Sequence, residues 1–227
     1  MENIVFVGAH PDDFTCAMGG TAALLADKFK IHVICATKGS VRQTDEKAMA
    51  AHAAMREKEK RSAAAVIGAE VTFLDYIDQE VYADRKTCAK IKAVLKELRP
   101  VAIFTLWCAD NHPDHSAVCE AVRKALRNEE NPPLLYFCEC SVSGQCRHFA
   151  PTVWVDISST FDAKMKMLRC YKSQNADDHL VEGATIRARF RGFEKNIFTP
   201  YAESFILYNG FKHTQKCLLA ELRGMPL

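Results

Sequence analysis

The chain has 227 residues, 48% of them hydrophobic, with 30 Lys and Arg set against 28 Asp and Glu for a formal net charge of +2. That is enough apolar material for one sizeable core, and the length suits a single domain over 1–227 better than two. The near-balanced charge argues against nucleic acid as a partner, and no apolar run reaches the roughly 18 residues of a spanning helix, so no membrane partner is expected.

The elements alternate along the chain. An apolar strand at 3–10 precedes a helical pattern at 19–29, and a second strand at 30–37 is followed by a polar loop at 38–46. A long helix rich in Ala and charge covers 47–68, a third strand 69–75, an amphipathic helix 87–100 and a fourth strand 101–107. After a polar turn come a helix at 115–128, strands at 133–139 and 151–158, and helices at 160–174 and 185–196. Near-continuous Val, Ile and Phe strands between amphipathic helices predict a mostly parallel sheet covered on both faces, a Rossmann-like α/β three-layer sandwich. From about residue 135 the pattern is less regular and is expected to pack on the sheet edge.

Ten cysteines without a CxxC pair, and a charged start that runs straight into a strand instead of a secretory signal, point to a reducing, cytoplasmic setting. Cys138, Cys140, Cys146 and His148 offer donors for a second, structural zinc, although the two-residue gaps usual in such sites are missing.

In open parallel sheets, ligands sit beyond the carboxyl ends of the strands. That rule brings His10–Asp13, Thr37–Arg42, Asp75–Asp78 and Cys108–His115 to one rim. Two clusters stand out there: "HPDD" after the first strand and "HPDH" after the fourth. Three donors of the His and Asp type with an open fourth position make a catalytic zinc site, and His10, Asp13 and His115 satisfy that requirement. Ferrous iron is the alternative for two imidazoles and a carboxylate. The plainer readings are that Asp12 and Asp13 cap the following helix, and that His112 and Asp114 are ordinary turn residues. His32, His52, His179 and His213 lie outside both clusters and are not expected to be ligands. GxGxxG is absent from the first strand–helix turn, which argues against nucleotide binding.

"AHPDD" and "HPDH", with "ATKG", "MREKEKRSAAAVIGAE", "VDISSTFDAKMKMLRCYKSQ" and "YAESF", strongly resemble the LmbE-like or PIG-L family of metal-dependent deacetylases. The match runs from Ile4 to about Phe205. The resemblance implies a zinc hydrolase that removes the acetyl group from an N-acetylglucosamine-type sugar, closest to the small bacterial members acting on GlcNAc-malate conjugates. It implies His10, Asp13 and His115 as metal ligands, Asp12 as general base, and His112, supported by Asp114, as the imidazole serving the tetrahedral intermediate. It places Arg56 near the substrate. Arg42 and Lys38 in the rim loop and Tyr201 are further candidates for substrate contact, and Trp107 reads as packing or as a sugar platform.

Two positions depart from the pattern: Phe14 stands where the family usually has an acid, and Asp110 where some members have tyrosine. Asp110 is expected to push His112 towards its charged form. Amide hydrolysis on another sugar or thiol conjugate, and a non-catalytic metal- or nucleotide-binding protein, are the competing readings. Monomer and homo-oligomer both remain open.

Overall fold

The computed structural model describes residues 1–41, 45–140, 145–194, 198–210 and 218. Its strands are β1 (Asn3–Gly8), β2 (Lys30–Val41), β3 (Glu70–Asp78), β4 (Ala102–Leu106), β5 (Leu134–Cys138), β6 (Val153–Asp156) and β7 (Ala202–Leu207). Its helices are α1 (Asp13–Leu25), α2 (Glu46–Ala65), α3 (Arg85–Leu98), α4 (Pro113–Leu126), α5 (Phe161–Leu168) and α6 (His179–Phe193), with a 3₁₀ turn at Ser158–Thr160. One sheet of seven strands runs in the order β3-β2-β1-β4-β5-β7-β6. Neighbours pair in parallel from β3 to β5, while β7 is antiparallel to both β5 and β6.

Ile4, Val5, Phe6 and Val7 of β1 are fully buried, as a central parallel strand covered on both faces requires. Phe6 stacks on Phe104 of β4 at 4.8 Å between centroids, and Phe104 on Tyr136 of β5 at 4.7 Å. This aromatic ladder pins the three strands whose ends matter most. Helices α1, α2 and α5 pack together over one face and α3 with α4 over the other, the two-sided cover expected of βαβ crossovers.

Local chemistry sets the helix ends. Asp45 caps α2 by accepting from the main-chain N–H of Lys47 and Ala48, and Asp84 caps α3 by accepting from Thr87. Pro113 at the start of α4 gives up an N–H that has no helical partner there. α1 begins at Asp13, six residues before the sequence pattern indicated, because the small residues of "TCAMGG" hide the periodicity.

The sequence reading had no strand at 202–207. β7 enters between β5 and β6 by a long-range antiparallel pairing that local pattern does not encode. Its Glu203 is buried. It accepts from the main-chain N–H of Gly20 and Thr21 at 2.9 and 2.7 Å and from Lys164 Nζ at 2.7 Å, tying β7 to α1 and α5. Removing one partner leaves a buried charge uncompensated. Glu203→Ala is therefore expected to cost about 3–5 kcal/mol in urea unfolding, and a loss below about 1 kcal/mol would show that this clamp is not holding β7.

Candidate metal centre

Strand order reverses between β1 and β4: the chain steps outward from β1 to β2 and β3, then returns to β1's other side. Such a switch point leaves a crevice at the carboxyl ends. "HPDD" leaves β1 there and "HPDH" leaves β4. The two clusters meet on the wall of a cavity of about 490 Å³, which Arg56, Asp78 and Cys140 also line.

The geometry turns on two imidazoles. His10 Nε2 lies 3.1 Å from Asp114 Oδ2 and 3.2 Å from Asp78 Oδ1, so that nitrogen donates. His115 Nδ1 lies 3.0 Å from Asp110 Oδ2 and donates there. The remaining nitrogens, His10 Nδ1 and His115 Nε2, face each other at 3.2 Å. With both outer nitrogens committed, two lone pairs meet unless a proton or a metal cation lies between them. Asp13 completes the triangle, with Oδ1 3.3 Å from His115 Nε2 and Oδ2 3.6 Å from His10 Nδ1. Donors about 2.0–2.2 Å from a tetrahedral centre lie about 3.3–3.6 Å apart. The donor types fit a divalent metal, and the spacing is met between the two inner nitrogens and between His115 Nε2 and Asp13 Oδ1, while the His10 contact runs to the other oxygen of Asp13. The cluster His10, His112, His115 also has ligand atoms within 4.8 Å of one another.

Charge follows geometry. Burial alone would lower the pKa of His10, but Asp13, Asp114 and Asp78 outweigh it and hold the ring well above its usual value. His115 is likewise opposed by burial and raised to about 9 by Asp13 and Asp110. Asp13 is held well below the usual carboxylate range, because the two imidazolium rings overcome its burial.

Asp114 is placed differently from the sequence reading. Its carboxylate does not support the His112 ring: besides His10 it accepts from the main-chain N–H of Gln79 and Val81, at 2.7 and 3.2 Å. What His112 receives from Asp114 is the main-chain N–H, on Nδ1 at 3.3 Å, and that bond assigns the ring proton to Nε2. Asp110 does not charge His112 either. Its carboxylate serves the His115 ring, the His112 main-chain N–H and Gln145, and the His112 pKa is lowered by burial and by the two neighbouring imidazoles.

Asp12 stands at the N-terminus of α1, yet its side chain makes no capping bond, so the helix does not consume it. Arg56, buried on α2, donates from Nη2 to Asp12 Oδ1 at 3.1 Å, while its Nε and Nη1 are buried without a hydrogen-bond partner. Gly39 makes room for it. Gly39 has φ +65°, and a Cβ there would lie 2.8 Å from Arg56 Nε and Nη2.

Other candidates fall away from the cavity. Tyr201 stacks on Phe161 at 3.6 Å and does not line it, and Lys38 pairs with Glu57 and Asp75. Trp107 packs edge-on against Phe137 and Phe149 and donates to Arg147 O, the packing alternative. Arg42 and His213 lie outside the described residues. Cys138, Cys140, Cys146 and His148 do not assemble as a ligand group among the described residues. Cys140 points to Asp13 and Cys146 to Asp110.

Phe14, in the position of the missing acid, is core: it sits edge-on to Phe6 at 5.2 Å, with Lys60 Nζ 4.2 Å from its ring centroid. Lys60 is fully buried without a hydrogen-bond partner, and burial lowers its pKa to about 8. Asp78, placed on the rim by the strand-end rule but given no role, lies beside His10 because β3 runs on to residue 78, and Arg187, also without an assigned role, donates from α6 to the carbonyls of Cys140 and Cys16.

Residues 5–126 match the PIG-L family, described as GlcNAc-PI de-N-acetylase. Among curated proteins, the chain is 29% identical to the probable N-acetyl-alpha-D-glucosaminyl L-malate deacetylase 2 of Bacillus cereus, over 76% of this chain and 84% of that one. It is 25% identical to the 4-oxalmesaconate hydratase of Pseudomonas putida, over 93% and 88%. Its fold superimposes on the N,N'-diacetylchitobiose deacetylase of Pyrococcus horikoshii with a TM-score of 0.78 and 24% identity, covering 91% and 84% of the chains.

Two outcomes are expected. Asp114→Ala removes the carboxylate that orients His10 and is expected to weaken zinc binding about 10–100-fold in competition with a chelator, an unchanged affinity counting against the pairing. For Lys60, a folded-state pKa of about 8 lies below the unfolded value of 10.5, so folding is penalised below pH 8 and relieved as pH rises from 8 towards 10.5. Lys60→Met is expected to be more stable than the wild type at pH 7 by about 1–3 kcal/mol and to lose the rise in stability between pH 8 and 10, both read by urea unfolding.

Proposed function

Because the chain belongs to the PIG-L family of deacetylases, we propose that it is a zinc-dependent hydrolase removing the acetyl group from an N-acetylglucosamine-type sugar or sugar conjugate. One observation carries the reading: the inner nitrogens of His10 and His115 converge with Asp13 on an open cavity, beside an aspartate that the helix leaves unused. His10, Asp13 and His115 would hold the metal, which when bound polarises the amide carbonyl and makes water a better nucleophile.

The chain's own residues do the rest. Asp12, with Oδ1 anchored by Arg56, uses its other oxygen to take a proton from the attacking water. His112, with its proton on Nε2, donates a hydrogen bond to the carbonyl oxygen as negative charge develops there. The proton held by Asp12 passes to the amine nitrogen as the C–N bond breaks, leaving acetate and the free amino sugar. Arg56 lines the cavity beside this pair and would meet an acidic group on the sugar's aglycone.

A second reading, hydration of an anionic unsaturated acid, has support in the Arg56 guanidinium on the cavity wall and in the long match to a hydratase. Amine release from N-acetylglucosamine, GlcNAc-malate and diacetylchitobiose, measured beside hydration of 4-oxalmesaconate, separates the two. Asp12→Asn is expected to keep its zinc and lose about 10²–10⁴-fold in kcat, and wild-type turnover in that variant would remove Asp12 as the base.

A further inference from the structure

Cys140, two residues beyond the end of β5, is buried and lines the cavity. Its Sγ lies 3.3 Å from Asp13 Oδ1, the same oxygen that stands 3.3 Å from His115 Nε2. Asp13 Oδ2 already accepts from the main-chain N–H of Ala9 and His10, both at 2.8 Å, so Oδ1 is the oxygen left for a metal. Donor atoms of Asp13, His115 and Cys140 all lie within 4.8 Å of one another, and all three residues are buried. The main chain at Cys140 is held in place, since Arg187 Nη1 donates to its carbonyl at 2.8 Å. Zinc binds sulfur at about 2.3 Å and oxygen at about 2.0–2.2 Å, which puts tetrahedral neighbours of these two kinds about 3.5 Å apart, close to the observed separation.

We propose that Cys140 is a further ligand of this metal centre, binding as thiolate in the substrate-free protein and occupying the position that the attacking water needs. The inference rests on the metal reading given above. On binding, the S–H bond is replaced by a metal–sulfur bond and the proton leaves to solvent, with no change of oxidation state. Thiolate also favours zinc and cobalt over the harder metals that oxygen and nitrogen donors alone would admit.

Cobalt(II) loading of the full chain tests this. Visible d–d bands report that the metal is bound, and an intense near-ultraviolet sulfur-to-cobalt band reports thiolate. Both are expected in the wild type and in Cys146→Ser, whereas Cys140→Ser is expected to keep the visible bands and lose the near-ultraviolet one. X-ray absorption at the zinc edge of the wild type needs no variant and is expected to show one sulfur at about 2.3 Å. Visible bands without the near-ultraviolet band, a near-ultraviolet band that survives Cys140→Ser, or a zinc shell of nitrogen and oxygen alone would overturn the role of Cys140 and leave the metal reading standing. Failure to take up cobalt or zinc at all would overturn both.

Discussion

Two imidazole nitrogens face each other 3.2 Å apart in a buried site, and most of the arrangement around them follows from that contact. Neither ring can turn away. His10 is held by Asp114 and Asp78, and His115 by Asp110. The contact forms because His10 leaves β1 and His115 enters α4 after β4, and β1 and β4 are neighbours in the sheet. The aromatic ladder through Phe6, Phe104 and Tyr136 keeps those strands in register. A packed core without functional groups thus fixes the position of every donor at its edge.

The acids of the site differ by what surrounds them. Asp13 is buried, bound to two main-chain N–H groups and pointed at His115. Asp114 is buried as well, but its oxygens go to His10 and to the main chain after β3, so it positions a ring without meeting substrate. Asp110 does the same for His115 and also accepts from Cys146 and Gln145. Only Asp12 combines a place on the cavity with an oxygen tied to Arg56 and no duty to the helix. Outer carboxylates of this kind fix tautomers and raise ligand basicity, which is why a site described by three ligands alone would be incomplete.

Phe14 shows how an altered motif is absorbed. An aromatic ring at that position points into the core and carries a buried lysine on its face. Lys60 keeps a cation–π contact and no hydrogen bond, a costly arrangement in a buried place. The departure from the family pattern is thus taken up by core packing around Phe14.

The amino-acid sequence by itself determined the parallel sheet and the rim on which "HPDD" and "HPDH" converge, and offered His10, Asp13 and His115 as candidate donors there, because strand burial and the residues at strand ends are local properties. The resemblance that the two motifs carry also raised the expectation that Asp12 and Asp13 differ in kind. Only the tertiary structure decided which carboxylate each imidazole uses. Asp114 and Asp78 turn to His10, and Asp110 to His115, because hydrogen-bond partners are chosen across gaps of up to 104 residues. It likewise decided the insertion of β7 between β5 and β6, the withdrawal of Tyr201 into a stack with Phe161, and the approach of Cys140 to Asp13 over 127 residues. Each of these rests on contacts between distant segments whose register no local periodicity encodes, which is why a spacing of residues could name the donors and yet leave their partners open.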